Sequence, residues 1–251
     1  MIVNVRKFNN LLKRATLNYS INSFSCDISP DRIVSKMITK SNDAIACLDI
    51  RNDIFRENKE TLTFNFIDPN SSIVPYLNLI DSEEAELLVR NEKLILKNGK
   101  QKSNLFFCEP EIPSRFGASE PKGQFTPFIS IDVNDEFLDT FNKIKKIGNK
   151  FGKIYFNVIN NILQMETTDK KNKFSNGLSF DIAENVESKD ISICFDFSNM
   201  MNLFSVLDSD VSYVLNFIYV KEKDMGLMTC TRANKDSEDI ENYYLTSKLE
   251  V

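Results

Sequence analysis

The sequence predicts an α+β fold of two similar domains, each with two helices packed on antiparallel sheet. Three observations predict it. An order of strands, basic helix, strands, less charged helix and closing strands occurs twice along the chain. Between those helices the apolar residues alternate with period two, the pattern of half-buried strands. The length, 251 residues, accommodates two domains of ordinary size, each with its own core. The divisions fall at 1–110 for the first domain, 111–127 for a connector and 128–251 for the second domain.

The first basic helix covers Arg6 to Ala15. Phe8, Leu11, Leu12 and Ala15 recur at helical spacing on one face, while Arg6, Asn10, Lys13 and Arg14 fall largely on the other, with Lys7 among the same cations. From Ser20 the period becomes two, and strands are expected at Ile21 to Ile28, Arg32 to Ile38, Ala44 to Ile50 and Thr61 to Ile67. Ser29-Pro30-Asp31 marks a turn. Asp68-Pro69-Asn70 is a helix start, a capping side chain with proline ahead of the first full turn. The helix that follows runs through Ile73, Tyr76, Leu77 and Ile80, and Pro75 is tolerated if it begins near Ser71 or Ser72. Strands at Ala85 to Val89, Lys93 to Leu96 and Asn104 to Cys108 close the half. Glu109 to Pro127 holds four prolines and two glycines without periodicity, so the connector lies there.

A strand at Phe128 to Val133 opens the second half. Asn134 then caps a helix over Asp135 to Lys146, with Asp135 and Glu136 in the first turn, where the helix dipole favours acids. Phe137, Phe141 and Ile144 form its apolar stripe; Lys143, Lys146 and, just beyond, Lys150 lie on the far side. Strands follow at Lys153 to Val158, Ile162 to Thr167, Leu178 to Ile182 and Ile191 to Phe195. Asp196 or Ser198 caps a short helix whose apolar face is Met201, Phe204 and Leu207. Val211 to Val220, Gly226 to Thr231 and Tyr243 to Leu249 are the closing strands. The loops Asp169 to Lys173, Lys221 to Asp224 and Asn234 to Glu241 are heavily charged.

Composition narrows the function. With 31 basic and 36 acidic side chains the net charge is −5, against a protein that coats nucleic acid by bulk attraction. The positive charge is instead concentrated on particular helical faces, which suggests a polyanion partner met locally. A basic stripe opposite an apolar one is also what a plain solvated helix face shows, and Lys146 and Lys150 suit the negative end of a helix dipole. Complete absence of histidine removes Ser-His-Asp and Cys-His catalysis and the common His metal sites. There is no Walker-type phosphate loop, and the five widely spaced cysteines form no CxxC pair, which points to buried, reduced, structural thiols. No enzyme, no cofactor and no metal are therefore expected. No apolar run is long enough to cross a bilayer, and Met1 to Arg6 lacks signal-peptide order, so a soluble, cytoplasmic protein without membrane partners is expected.

Across almost the whole chain these features resemble the DNA polymerase sliding clamps, the processivity factors, and specifically their two-domain bacteriophage type related to eukaryotic PCNA. The resemblance is closest over Phe8 to Ile50, Thr61 to Val89 and Ile191 to Val251. It rests on repeat architecture, length and helix charge, since the family has no short invariant motif. It implies the DNA clamp fold: three chains joined head to tail in a ring, helices lining the hole, sheets outside. The ring would encircle double-stranded DNA without reading its sequence, tether the replicative DNA polymerase, and be placed on DNA by an ATP-dependent clamp loader.

By that resemblance, Arg6, Lys7, Lys13, Arg14, Lys143, Lys146 and Lys150 would line the hole, with uncharged contacts from Asn78, Asn199 and Asn202. The subunit contact would pair the edge Asn104, Leu105, Phe106, Phe107 and Cys108 of one chain with Leu178, Ser179, Phe180, Asp181 and Ile182 of the next. Partner peptides would dock beside the connector and near the C-terminus, with Ile28, Phe125, Pro127 and Leu249 as candidate pocket residues. Arg115 and Lys122, however, make the connector less apolar than a docking strip should be. A non-enzymatic, β-rich structural or assembly protein of a virus or phage is the alternative reading.

Overall fold

Asn4 ends one element and starts the next. It closes a short strand, β1 (Ile2–Asn4), and its side chain accepts from the Lys7 backbone N–H at 2.9 Å, capping helix α1 (Val5–Ala15). The computed structural model describes residues 1–90, 93–115, 127–172, 175–186, 190–220, 225–233 and 238–248. The chain divides into two compact units, Met1–Ala118 with Asp236–Glu241, and Ser119–Lys235 with Asn242–Val251.

In the first unit α1 is followed by β2 (Ser23–Ile28), β3 (Arg32–Ile38), β4 (Ala44–Arg51), β5 (Phe55–Arg56) and β6 (Leu62–Ile67). Two short helical turns, α2 (Pro69–Ser72) and α3 (Val74–Leu77), lead to β7 (Glu84–Arg90), β8 (Lys93–Asn98) and β9 (Gln101–Phe106). All pairings are antiparallel, in the orders β5-β1-β7-β8-β9 and β4-β3-β2-β6. The apolar stripe of α1, Val5, Phe8, Leu11, Leu12 and Ala15, is buried as its spacing predicts. Phe8 meets Phe55 at 5.1 Å between ring centroids, Phe55 meets Phe64 at 5.6 Å, and Phe107 stacks on Phe64 at 5.5 Å. Each such pair adds about 0.5–1.5 kcal/mol beyond its buried area.

The second unit repeats the plan with β10 (Ile129–Asp132), α4 (Asp135–Gly148), β11 (Lys153–Ile159), β12 (Ile162–Thr167), β13 (Leu178–Ala183), β14 (Ile191–Asp196), α5 (Phe197–Val206), β15 (Tyr213–Val220), β16 (Met225–Arg232) and β17 (Ile240–Lys248), whose first two residues, Ile240 and Glu241, belong to the first unit. Its strands run β10-β15-β16-β17 and β13-β12-β11-β14, again antiparallel. Asn134 caps α4 by accepting from the Phe137 N–H at 2.8 Å, and Asp196 caps α5. Each unit also ties the strand after its basic helix to the strand before its second helix by a Ser–Asn side-chain bond. These are Ser25 to Asn65 and Ser192 to Asn157, both 2.6 Å.

Several expectations need correction. The helix through Ile73 to Ile80 is broken at Ile73 (φ −121°), because Pro75 has no N–H to bond back across that point to the preceding turn. The strand expected at Asn104 to Cys108 is Gln101–Phe106: Gly99 at φ +57° makes a two-residue turn that pairs Asn98 with Gln101 and starts the strand earlier. The buried face of α5 is Phe197, Met200, Leu203 and Val206, not Met201, Phe204 and Leu207. Capping at Asp196 sets that register, and Phe204 turns sideways onto Phe137 and Phe141 of α4, at 5.5 and 4.5 Å. None of the five cysteines forms a disulfide; Cys108 is only half-buried, whereas the other four are buried. Among the described residues no helix is long and apolar enough to cross a membrane.

Candidate nucleic-acid interface

α1 and α4 present their cations differently. On α1, Lys7 and Arg14 are seven residues apart and share one flank of the helix. Lys7 pairs with Asp53. Arg14 binds Glu241 side-on through one guanidinium edge, Nε donating to Oε1 at 2.9 Å and Nη2 to Oε2, and the Glu241 side chain is 0% exposed. Arg14 is therefore committed to a buried carboxylate, the strong bidentate form of such a pair, and is withdrawn from the outward set expected from sequence. Arg6 and Lys13 remain opposite the apolar stripe, Arg6 exposed and Lys13 half-buried, with Asn10 exposed between them.

Lys143 and Lys146 of α4 fall on the face opposite Phe137, Phe141, Ile144 and Gly148, Lys150 follows two residues past the helix end, and all three are exposed. Among the described residues none of them has an ion-pair partner; Lys143 Nζ lies 5.9 Å from the centroid of the Phe180 ring. The same face carries Glu136 and Asp139 nearer the helix N-terminus, so it is acidic at one end and basic at the other. Lys145, which sequence reasoning passed over, is also exposed but on the flank. The second helix of each unit carries no lysine or arginine. Asn78, just past α3, is exposed, whereas Asn199 and Asn202 on α5 are half-buried.

Of the candidate pocket residues, Ile28 is 0% exposed at the end of β2, where it packs in the core and presents nothing to a partner. Pro127 is exposed; Phe125 and Leu249 lie outside the described residues. Sequence reasoning missed a groove of about 260 Å³ in the first unit, where Ile21, Ile38, Ile67 and Ile112 meet, with Lys40 and Asp68 on its rim. Its signal is faint: Ile67 and Ile112 are each 48% exposed. The first connector residues form one wall. Ser114 O accepts from the Ile38 N–H at 3.0 Å, and Arg115 donates from Nε to Ser25 Oγ at 2.6 Å and reaches Asp27 at 3.4 Å. Arg115 thus clasps the connector to the sheet, a role its charge alone did not suggest.

The expected subunit-contact residues divide. Asn104, Leu105 and Phe106 lie on β9, and Leu178 to Ile182 on β13, each a terminal strand of its sheet. Phe107 and Cys108 do not belong to that edge. Phe107 turns inward onto Phe64 and Phe66, and the Cys108 N–H donates to Asn65 O at 2.9 Å. Burial pushes the Cys108 thiol up from its ordinary value. Among the described residues, no cluster of three or more His, Cys, Asp or Glu is placed to hold a metal ion.

The repeated unit of two helices on antiparallel sheets defines a class: the chain has the fold of the DNA sliding clamps. PCNA from A. fulgidus, solved with the C-terminal region of FEN-1, superposes with a TM-score of 0.68 at 14% identity, over 100% of this chain and 98% of that one. The DNA polymerase sliding clamp of Bacillus subtilis gives 0.70 at 12% identity, over 98% of this chain and 63% of that one. The Helicobacter pylori β clamp, solved with a DNA ligase peptide, gives 0.62 at 13% identity, over 98% and 66%. The chain therefore spans nearly the full length of the PCNA and about two thirds of these two bacterial clamps. No family model matches the sequence, and no curated protein is significantly similar to it.

Proposed function

We propose that this chain is a sliding clamp: a head-to-tail homotrimeric ring that encircles duplex DNA and tethers the replicative DNA polymerase for processive synthesis. The observation that carries the reading is the pair of clamp-fold units whose first helices, α1 and α4, each keep an outward cationic face in a chain of net charge −5. The work is physical. A closed ring holds by topology, so each phosphate contact can be weak and indifferent to sequence, and the ring slides. Exposed lysines on long flexible stems suit that task, and the acidic remainder keeps positive potential local to the helices.

In this reading an ATP-dependent loader opens the ring on DNA, and partners dock by short peptides, as FEN-1 and DNA ligase segments do on the clamps solved with them. The isoleucine groove beside the connector accepts one large apolar anchor of such a peptide. The deciding experiment is retention on DNA. Loaded protein should stay on nicked circular DNA through a high-salt wash and run off when the circle is linearised. Equal loss from circular and linear DNA would refute encirclement. Light scattering should give about 87 kDa, three times the 28.9 kDa chain.

A further inference from the structure

Each unit carries the same polar node on the sheet face turned away from its core, and each node holds a cation. Ser25 and Asn65 alternate with the core residues Phe24, Phe64 and Phe66, and Asn157 and Ser192 alternate with Phe156, Ile193 and Phe195. In both nodes the serine hydroxyl donates to the asparagine Oδ1 at 2.6 Å. The serine oxygen is left as an acceptor, so the node takes a donor from outside. In the first unit that donor is a guanidinium: Arg115 Nε donates to Ser25 Oγ at 2.6 Å, and Nη2 lies 3.4 Å from Asp27 Oδ1. In the second it is an ammonium, Lys170 Nζ, 3.0 Å from Ser192 Oγ and 4.0 Å from the centroid of the Tyr155 ring.

The two occupants differ in fit. Arg115 engages both a hydroxyl and a carboxylate. In the second node the carboxylate is Glu166, opposite Tyr155 in the β11–β12 register, and its Oε2 accepts from Asn157 Nδ2 at 2.7 Å. Yet neither Glu166 nor Lys170 has an ion-pair partner among the described residues. Tyr155 and Asn157 are buried, Glu166 and Ser192 half-buried, and Lys170 exposed. An aromatic ring, a carboxylate and an acceptor hydroxyl on one patch match a guanidinium, which stacks its plane on the ring while its fork meets the oxygens. Lys170, on the charged stretch after β12, is held by one hydrogen bond and one ring contact, so it is readily displaced.

We infer that this second node is an arginine-binding site: an extended segment of a partner protein places a guanidinium on Tyr155 between Glu166 and Ser192, and Lys170 covers the site until then. The first unit shows the chemistry of the occupant. There the Ser114 N–H donates to Ser23 Oγ at 3.0 Å and Arg115 bridges to Met37 of β3, so an extended stretch of chain delivers the guanidinium to its node. The uncompensated Glu166 carboxylate supplies the complementary charge. The site lies in the second unit, away from the isoleucine groove of the first, and requires neither the ring nor DNA.

The test is saturation-transfer NMR on the full chain with the peptide acetyl-Pro-Ser-Arg-amide, which copies Pro113 to Arg115, beside the same peptide carrying citrulline, a neutral isostere of arginine. The arginine peptide should bind with a dissociation constant of about 1 mM, and the citrulline peptide at least about 10-fold more weakly. Glu166→Gln should weaken the arginine peptide about 10-fold, and Lys170→Ala should strengthen it about 3-fold by removing the competing ammonium. Lys170→Arg, an exposed change that puts a tethered guanidinium on the node, should weaken it at least about 3-fold. That variant serves if Glu166→Gln disturbs folding, as judged by circular dichroism. Asp27→Asn should leave the affinity unchanged, because Arg115 already fills the first node. Equal binding of the two peptides, or an affinity that responds to Asp27→Asn but not to Glu166 or Lys170, would overturn the inference. Self-association that Glu166→Gln weakens would assign the site to an arginine of a second copy and overturn the partner reading.

Discussion

α1 and α4 open equivalent halves of a repeat, carry similar numbers of cations and bury similar apolar stripes, yet they spend their charge differently. On α1 the flank holding Lys7 and Arg14 is tied to Asp53 and Glu241, and only Arg6 and Lys13 face away from the core. On α4 the cations Lys143 and Lys146 are exposed, as is Lys150 just past its end. A helix's formal charge is thus a poor guide to the charge it offers a ligand. What decides is whether an acid elsewhere in the fold has already claimed it.

The sharpest way to break this comparison is at Arg14. Arg14→Ala takes the bidentate partner from the buried Glu241 carboxylate, so about 3–5 kcal/mol of stability should be lost in urea unfolding followed by circular dichroism. Arg14→Met combined with Glu241→Leu should recover most of it, since replacing both partners removes the buried charge as well. A variant of unchanged stability that released DNA would instead return Arg14 to the DNA face. α4 is anchored by close packing where α1 uses an ion pair. A Cβ on Gly148 would stand 2.4 Å from the buried Phe197 ring, so Gly148→Ala should destabilise by about 1–3 kcal/mol despite its better helix propensity. A stabilised variant in thermal unfolding would show that the two helices yield more easily than this spacing indicates.

Both anchors show where sequence reading ends. The stripes of α1 and α4 were legible because 3.6-residue periodicity is local, and the caps at Asn134 and Asp196 because a capping side chain acts within three residues. Arg14 and Glu241 are 227 residues apart, and no pattern at that distance marks them as a pair. The groove of Ile21, Ile38, Ile67 and Ile112 draws on four separate segments and is invisible for the same reason. β1 and β5, with 3 and 2 residues, are too short to display alternation. The register of α5 slipped because Phe197, which lies between the two candidate caps Asp196 and Ser198, is the first residue of its buried face.

The outward cations supply the next comparison. Replacing Lys143, Lys146 and Lys150 together by Ala should leave stability nearly unchanged, because each is exposed, and should weaken DNA binding uniformly across sequences. The slope of log K against log salt should fall by about 2–3, near 0.9 for each phosphate contact removed. Arg6→Ala with Lys13→Ala should lower it by somewhat less than 2, and Lys7→Ala by well under 1, since Asp53 already engages that ammonium. Equal effects from all these sites would mean that the Asp53 pair opens freely on DNA and that the difference between the helices does not reach function.

The smallest effect separates the ends of the two helices. After α4 the chain turns with Gly152 at φ +68°, whereas after α1 Leu17, Asn18 and Tyr19 all hold positive φ, a conformation that side chains with a Cβ resist. That strained segment is held by the buried Leu17 and by Tyr19, whose hydroxyl donates to Asn9 Oδ1 at 3.2 Å. Burial pushes the Tyr19 hydroxyl from its ordinary value of 10.0 up to about 12. The folded state therefore keeps a proton that the unfolded chain releases first. The stabilisation is fully present below pH 10 and is lost as pH rises toward 12. Phenolate absorbance during an alkaline titration should show Tyr19 within the late-ionising fraction, and Tyr19→Phe should reduce that fraction by one phenol while leaving the rest of the curve in place. A late fraction unchanged in the variant would mean that Tyr19 ionises with the ordinary phenols and that the turn after α1 is held by Leu17 and backbone bonds alone.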